Sequence, residues 1–280
     1  MKLGEIEVHI LRAGTFYLDG GAMFGVVPKT FWERKAPPDS RNRIKLGMNV
    51  LLLRAGGKTV LVETGGGGKW DAKHREIYGF AEADPLPELL AGVGVRPADV
   101  DIVIDTHLHF DHAGGNTHIE NGRAVPAFPN ARYVLPRAEL AHALHPSERD
   151  RASYYPADFA PITEAGQWWL VEGETEILPG VSVVPIPGHN LQIQGVQISG
   201  GGKTVFLLAD LIPMRHHVPL PWIMAFDLYP MTTLETKRRW IPQIVREGWL
   251  AVFGHDPDVP AAYFREREGK IAAEPADENQ

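Results

Sequence analysis

Residues 106–115 read Thr-His-Leu-His-Phe-Asp-His-Ala-Gly-Gly, placing three histidines and an aspartate within six consecutive positions. His107, His109 and Asp111 recur every second residue, a spacing that lets an extended or gently turning segment aim all three to one side. His112 adjoins Asp111, points elsewhere and can serve a second metal. The chain has no cysteine, so the donors are imidazole and carboxylate, a set that suits zinc and also iron, manganese or cobalt. Gly114 and Gly115 are expected to let the chain turn away without crowding the site.

Three further candidates stand where apolar runs give out: His189 after VVPIPG, Asp210 after VFLLA and His255 after AVFG. Strand ends beside glycines are where backbones approach one centre and side chains converge. Together they make seven candidate ligands, enough for two metals sharing one carboxylate. The other histidines (His9, His74, His118, His142 and His145) are read as surface or packing residues.

Outward from the motif, the pattern is one of alternating strands and helices. Two apolar runs, Met48–Arg54 and Thr59–Val62, flank Gly56-Gly57-Lys58 and predict a hairpin. The pentapeptide GGKTV at 56–60 returns at 201–205 between runs at 195–199 and 204–209, which predicts one domain over residues 1–280 built from two pseudo-equivalent halves. Strands are expected over 101–105, 131–135, 176–187 and 249–253. Helices are expected over 86–91, over 136–144 with proline in its first turn, and from a capping box at Thr232-Thr233-Leu234-Glu235 to Gly248, kinked at Pro242. The tail beyond about 269 is expected to fray. No glycine fingerprint for a dinucleotide is present. The fold class is mixed α/β.

Composition narrows the function. The 280 residues are 44% hydrophobic and 22% charged, with net charge −7, ordinary for a water-soluble chain and without an electrostatic footprint for nucleic acid. The densest basic run, Lys237-Arg238-Arg239, reads as the solvated face of a helix. No apolar stretch approaches a membrane span and the N-terminus lacks a signal-peptide core, so a cytoplasmic location is expected.

The motif His107-Leu108-His109-Phe110-Asp111-His112, followed in order by His189, Asp210 and His255, closely resembles the metallo-β-lactamase superfamily over about residues 48–256. The resemblance implies an αββα sandwich, two β-sheets inside and helices outside. It assigns His107, His109 and His189 to a first metal and Asp111, His112 and His255 to a second, with Asp210 bridging; two divalent ions are implied, zinc the first choice. The family's strand-end Asp-Thr-Gly stands here as Glu63-Thr64-Gly65, which suggests that Glu63 supports a ligand from behind.

Metal ligation brings the pKa of a bound water from about 15.7 toward about 7. The expected chemistry is therefore attack by a metal-bound hydroxide on a small ester, lactone, thioester or phosphoester, with Asp111 as proton shuttle. An iron-dependent dioxygenase or a non-catalytic metal-stabilised scaffold are the alternatives. His109 departs from the glutamate of flavodiiron relatives, little chain follows His255 where glyoxalase II relatives carry a helical region, and acyl-homoserine-lactone hydrolases often have tyrosine where this chain has Pro213. Residues 211–230 resemble a roof over the site, whose Trp222, Met224 and Phe226, with Met23 and Phe24, are expected to wall an apolar pocket. His216 and His217 are candidates to donate hydrogen bonds to substrate. A small-molecule substrate is expected, with neither nucleic acid nor membrane as partner, and a homodimer through the N-terminal segment is compatible.

Overall fold

The computed structural model describes residues 1–80 and 84–276. Its first sheet takes β1 (Lys2–Leu3), β2 (Ile6–Asp19), β3 (Arg43–Ala55), β4 (Lys58–Val62) and β5 (Ile102–Ile104) in that order. A small separate ribbon, β6 (Thr117–Glu120) with β7 (Arg123–Pro126), intervenes before β8 (Arg132–Pro136) and β9 (Trp168–Val171) complete the sheet. The second sheet runs in unbroken chain order: β10 (Thr175–Leu178), β11 (Val181–Pro185), β12 (Gln194–Gly200), β13 (Lys203–Leu207), β14 (Leu250–Val252), β15 (Ala261–Arg267) and β16 (Lys270–Pro275).

β5 and β14 are apolar and buried at every position, as strands covered on both faces are. On β3 and β4, Leu51, Leu53, Val60 and Val62 point inward, where they meet Val196, Val205, Leu207 and Val252 of the other sheet. The alternate residues Val50, Leu52 and Leu61 face outward onto Leu86 and Leu90 of the helix Leu86–Gly92. Across the molecule, Phe206 and Ala251 face outward onto Trp240, Ile241 and Ile244 of the helix Pro230–Glu247. The result is the expected αββα sandwich. Each fully buried Val or Leu contributes roughly 1.5–3 kcal/mol relative to exposure, and these shared contacts hold the two sheets together.

The repeated GGKTV sequence forms the same turn twice. Ala55 pairs with Lys58 and Gly200 with Lys203, so each loop is two residues long. Its glycines have φ of 56° and 73° at Gly56 and Gly57, and 57° and 73° at Gly201 and Gly202. Positive φ at both central residues matches the right-handed twist of a hairpin, and glycine adopts it without a side-chain penalty. Each hairpin's second strand then pairs in parallel with a strand that follows a helix, β4 with β5 and β13 with β14.

Five local expectations need correction. The tail stays paired past 269, where Lys270–Pro275 runs along Ala262–Arg267 of β15, and its last residues, 277–280, lie outside the described residues. The helix expected to open at Thr232 begins at Pro230 and lacks a side-chain cap; Thr233 instead donates its hydroxyl to Asp227 at 2.6 Å. Pro136 ends β8 and caps the helix Arg137–Leu144 instead of standing in its first turn, and the 176–187 run is two strands folded about Gly180. Lys237 is not solvated: it is fully buried and donates to the carbonyls of His217, Pro219, Leu220 and Trp222 at 2.6–3.2 Å. Carbonyl oxygens leaving a neighbouring loop give an ammonium the acceptors it would otherwise find in water. Such a loop is invisible to helical periodicity.

Candidate metal centre

All seven motif residues converge at one end of the sandwich, where strands of both sheets terminate. β5 runs into Asp105, Thr106 and His107, while His109 remains extended with ψ of 150°. There the chain departs from the expected geometry. Phe110–Ala113 is a short helix, and the His109 carbonyl accepts from both His112 N and Ala113 N at 3.0 Å. The two-residue spacing therefore holds for His107 and His109 alone. The helical turn swings Asp111 and His112 to the other side, where both meet His255.

Two groups of candidate donors result: His107, His109, His189 and Asp210 in one, Asp111, His112 and His255 in the other, with donor atoms inside each lying within 4.8 Å of one another. Asp210 faces both. Its Oδ2 lies 3.2 Å from His189 Nε2 and 3.9 Å from His107 Nε2, while Oδ1 lies 3.1 Å from His255 Nε2 and 3.4 Å from His112 Nε2.

The far nitrogen of three of the rings is held from behind. His112 Nδ1 donates to Glu63 Oε2, whose partner oxygen accepts Thr106 N–H at 2.7 Å. The glutamate that replaces aspartate thus reaches both the motif strand and its last histidine. His255 Nδ1 donates to the Gly47 carbonyl at 2.9 Å, and His189 Nδ1 lies 3.1 Å from Asp227 Oδ1. Asn49 ties the His255 loop to β3 by donating to the Phe253 and Asp256 carbonyls at 2.9 Å. Glu139, fully buried, accepts Leu108 N–H and the Tyr154 hydroxyl on one oxygen, and Asn190 Nδ2 on the other, at 2.9–3.0 Å. Asp227, Asn49, Glu139 and the Gly47 carbonyl escaped the sequence reading, since none belongs to a recognisable spacing.

These bonds fix tautomers, and the tautomers test the site for a metal. His112 and His255 each use Nδ1–H on an acceptor, so with neutral rings both Nε2 atoms present lone pairs, 3.0 Å apart. His189 Nε2 and His109 Nδ1 stand equally close, at 3.0 Å. The buried His107 Nε2 and His109 Nε2 have no hydrogen-bond partner among the described residues. Facing lone pairs and an orphaned nitrogen call for a cation at each group, and the neutral imidazole–carboxylate donor set is one that divalent metals accept. Burial keeps His107 and His109 well below the ordinary histidine range, hence neutral.

The glycines behave as expected. A Cβ at Gly114 would strike the Gly66 carbonyl, and one at Gly115 the Thr64 carbonyl. That close approach lets Thr64 N–H donate to the His112 carbonyl at 2.8 Å.

A cavity of about 710 Å³ opens on the donors and is lined by Met23, Phe110, Met224 and Phe226 among others. Phe24 and Trp222, expected in this wall, sit one layer behind it, Phe24 stacked between Trp32 and His217 at 5.3 and 4.9 Å. His217 is buried with Nε2 donating to the Met23 carbonyl at 2.8 Å, and neither it nor His216 lines the cavity. His217 supports the roof instead. Among the described residues no helix is long and apolar enough to cross a membrane.

A sandwich of this topology with this donor set defines a class. The family model of the metallo-beta-lactamase superfamily matches residues 45–255, and the chain belongs to that superfamily. Among individual proteins, the N-acyl homoserine lactonase AiiA of Bacillus thuringiensis subsp. kurstaki is 29% identical over 180 residues, covering 63% of this chain. The match takes in 64% of that lactonase, less than two-thirds of its length. A probable metallo-hydrolase of Mycobacterium tuberculosis is 27% identical over 278 residues, covering 85% of this chain and 86% of the relative. The crystal structure of a probable metal-dependent hydrolase from Staphylococcus aureus matches with a TM-score of 0.91 and 31% identity over 99% of both chains. The dizinc quorum-quenching lactonase AidC, at 20% identity, shares the fold with a TM-score of 0.82 over 99% of this chain and 96% of its own.

Proposed function

We propose that the chain is a dinuclear metal hydrolase of small esters or lactones. His107, His109 and His189 would hold one divalent ion, Asp111, His112 and His255 the other, and Asp210 would span the pair. The observation that carries this reading is the split of Asp210, one oxygen toward each histidine group. Bound there, divalent ions supply Lewis acidity and an activated water. The chain's own residues do the rest. Asp111, a carboxylate at the cavity floor, is placed to carry a proton to the leaving group. Met23, Met224 and Phe226 exclude water and hold an apolar arm.

The lactonase and metallo-hydrolase relatives support hydrolysis over an iron-dependent dioxygenase, while thioesters and phosphoesters fall to the substrate panel. Zinc is the preferred ion, on the strength of the all-imidazole and carboxylate donor set. The acidic net charge of −7 favours a small molecule over nucleic acid. A homodimer would use the N-terminal segment, where Val26 and Phe31 are 90% and 63% exposed.

The test is metal quantitation on purified protein, followed by a panel of lactone, thioester, aryl ester and phosphotriester substrates before and after chelation. About two ions per chain and hydrolysis lost on chelation are expected. Metal-free protein without metal-stimulated hydrolysis would overturn the reading.

A further inference from the structure

The cavity above the metal centre has a rim that hydrolysis alone does not use. Three arginines line it: Arg41, Arg43 and Arg149. Arg43 is fully engaged, its guanidinium bonded to Asp39 at 2.8–2.9 Å and to the carbonyls of Glu76 and Ile77 at 3.0 and 2.7 Å. Among the described residues Arg41 pairs only with Glu76, at a loose 3.6 Å, with both side chains at least half exposed. Arg149 makes one hydrogen bond, from Nη2 to the Ala225 carbonyl at 2.7 Å. Among the described residues no carboxylate forms an ion pair with it.

The acids at the rim are occupied elsewhere. Asp150, beside Arg149 in the chain, turns inward and takes the Ser147 hydroxyl and His142 Nε2, each at 2.6 Å. Asp19 accepts Ala22 N–H and the Asn42 amide, each at 2.8 Å. At the mouth of this cavity Arg149 is therefore the one guanidinium that no carboxylate pairs among the described residues, although Asp19 and Asp150 keep their charge in the same lining.

Its distance from the chemistry follows from the strand. Gly47, whose carbonyl holds His255, and Arg43 both lie on β3, four residues apart, which extended backbone converts to roughly 13 Å. Arg149 sits at the Arg43 end: its partner Ala225 donates N–H to the Ala22 carbonyl at 2.8 Å, and Asp19, three residues before Ala22, pairs with Arg43 across the sheet. The same cavity is lined by Met23, Ile77, Phe110, Met224 and Phe226, side chains that suit an apolar arm.

We infer that the substrate carries a carboxylate at the far end of an apolar arm, and that Arg149, assisted by Arg41, reads it. The planar guanidinium fork matches a carboxylate and has donors left to give. This inference rests on the hydrolytic reading for where the scissile group lies.

The test compares two p-nitrophenyl esters of equal arm length on the metal-loaded protein, the decanoate and the mono-ester of decanedioate. An exposed ion pair supports about a fivefold preference in kcat/KM for the carboxylate-tailed ester, shrinking as salt is raised. The ratio should collapse toward one in Arg149→Met and persist in Arg149→Lys. A second readout is independent of turnover: decanedioate should bind the metal-loaded protein more tightly than decanoate by calorimetry, and lose that advantage in Arg149→Met. Equal binding of the two acids, or a preference that survives Arg149→Met, overturns the inference. Hydrolysis of both esters at equal rates would overturn it too while leaving the hydrolase reading standing.

Discussion

Asp227 Oδ1 stands 3.1 Å from His189 Nδ1, and the second oxygen of the same carboxylate accepts the Thr233 hydroxyl at 2.6 Å. An anchored carboxylate behind an imidazole fixes its tautomer and raises its basicity toward whatever Nε2 holds. Asp227→Asn is expected to weaken metal binding by about 10–100-fold. Titration against a competing chelator reads this directly, and unchanged affinity would show that the Asp227 contact is packing alone.

Glu139 connects the loop between His107 and His109 to Asn190, the residue after His189. Glu139→Ala strands the Leu108 N–H and the Tyr154 hydroxyl in a dry interior, at about 1–3 kcal/mol for each buried group left unsatisfied. The expected result is a lower denaturation midpoint together with weaker metal retention. A variant with wild-type stability and metal content would refute the linkage.

Lys237 offers a test by chemical rescue. Burial drives its amine down to about 7, while the four surrounding carbonyls favour the ammonium. Lys237→Ala should leave an empty cage of carbonyl oxygens and destabilise the fold by about 3 kcal/mol. Ethylammonium added to that variant should recover part of the loss, measured as a rise in Tm that wild type does not show. Absence of any such rise would mean that the loop collapses onto the vacated space.

His217 gives a pH dependence with a definite sign. Burial, outweighing its bond to the Met23 carbonyl, holds its imidazole down to about 3, against an ordinary 6.5. A base whose folded pKa is depressed stays neutral in the native state while the unfolded chain takes up a proton. Its contribution is therefore present above pH 6.5 and lost as pH falls through the window down to about 3. Between pH 7 and 5 the loss is about 2 kcal/mol. Denaturation of wild type and His217→Phe at both pH values isolates it, and the two proteins should differ in stability by that much more at pH 7 than at pH 5. Parallel pH profiles would remove His217 from the account.

The seven candidate ligands and the paired hairpins were legible in the chain itself, and the resemblance carried by the ligand motif implied the sandwich. Their signals are local: a two-residue spacing, an apolar run ending at a histidine or aspartate, a glycine pair demanding positive φ. What the spacing missed was the four-residue helix that separates Asp111 from His107 and His109. A single helical turn beginning inside a motif leaves no periodicity to read.

What stands behind the ligands came only from tertiary structure. Asp227 meets His189 across 38 residues, Asn49 meets the Phe253 carbonyl across 204, and the Gly47 carbonyl meets His255 across 208. Nothing in the local sequence of any of these residues encodes its partner. The same holds for Lys237, which a polar helix face placed in solvent and which the roof loop's carbonyls buried. A ligand type is a property of a side chain, visible wherever it stands. Its orientation, its charge and the reach of the pocket above it belong to groups far apart in the chain, and only the packing of the two sheets brings those groups together.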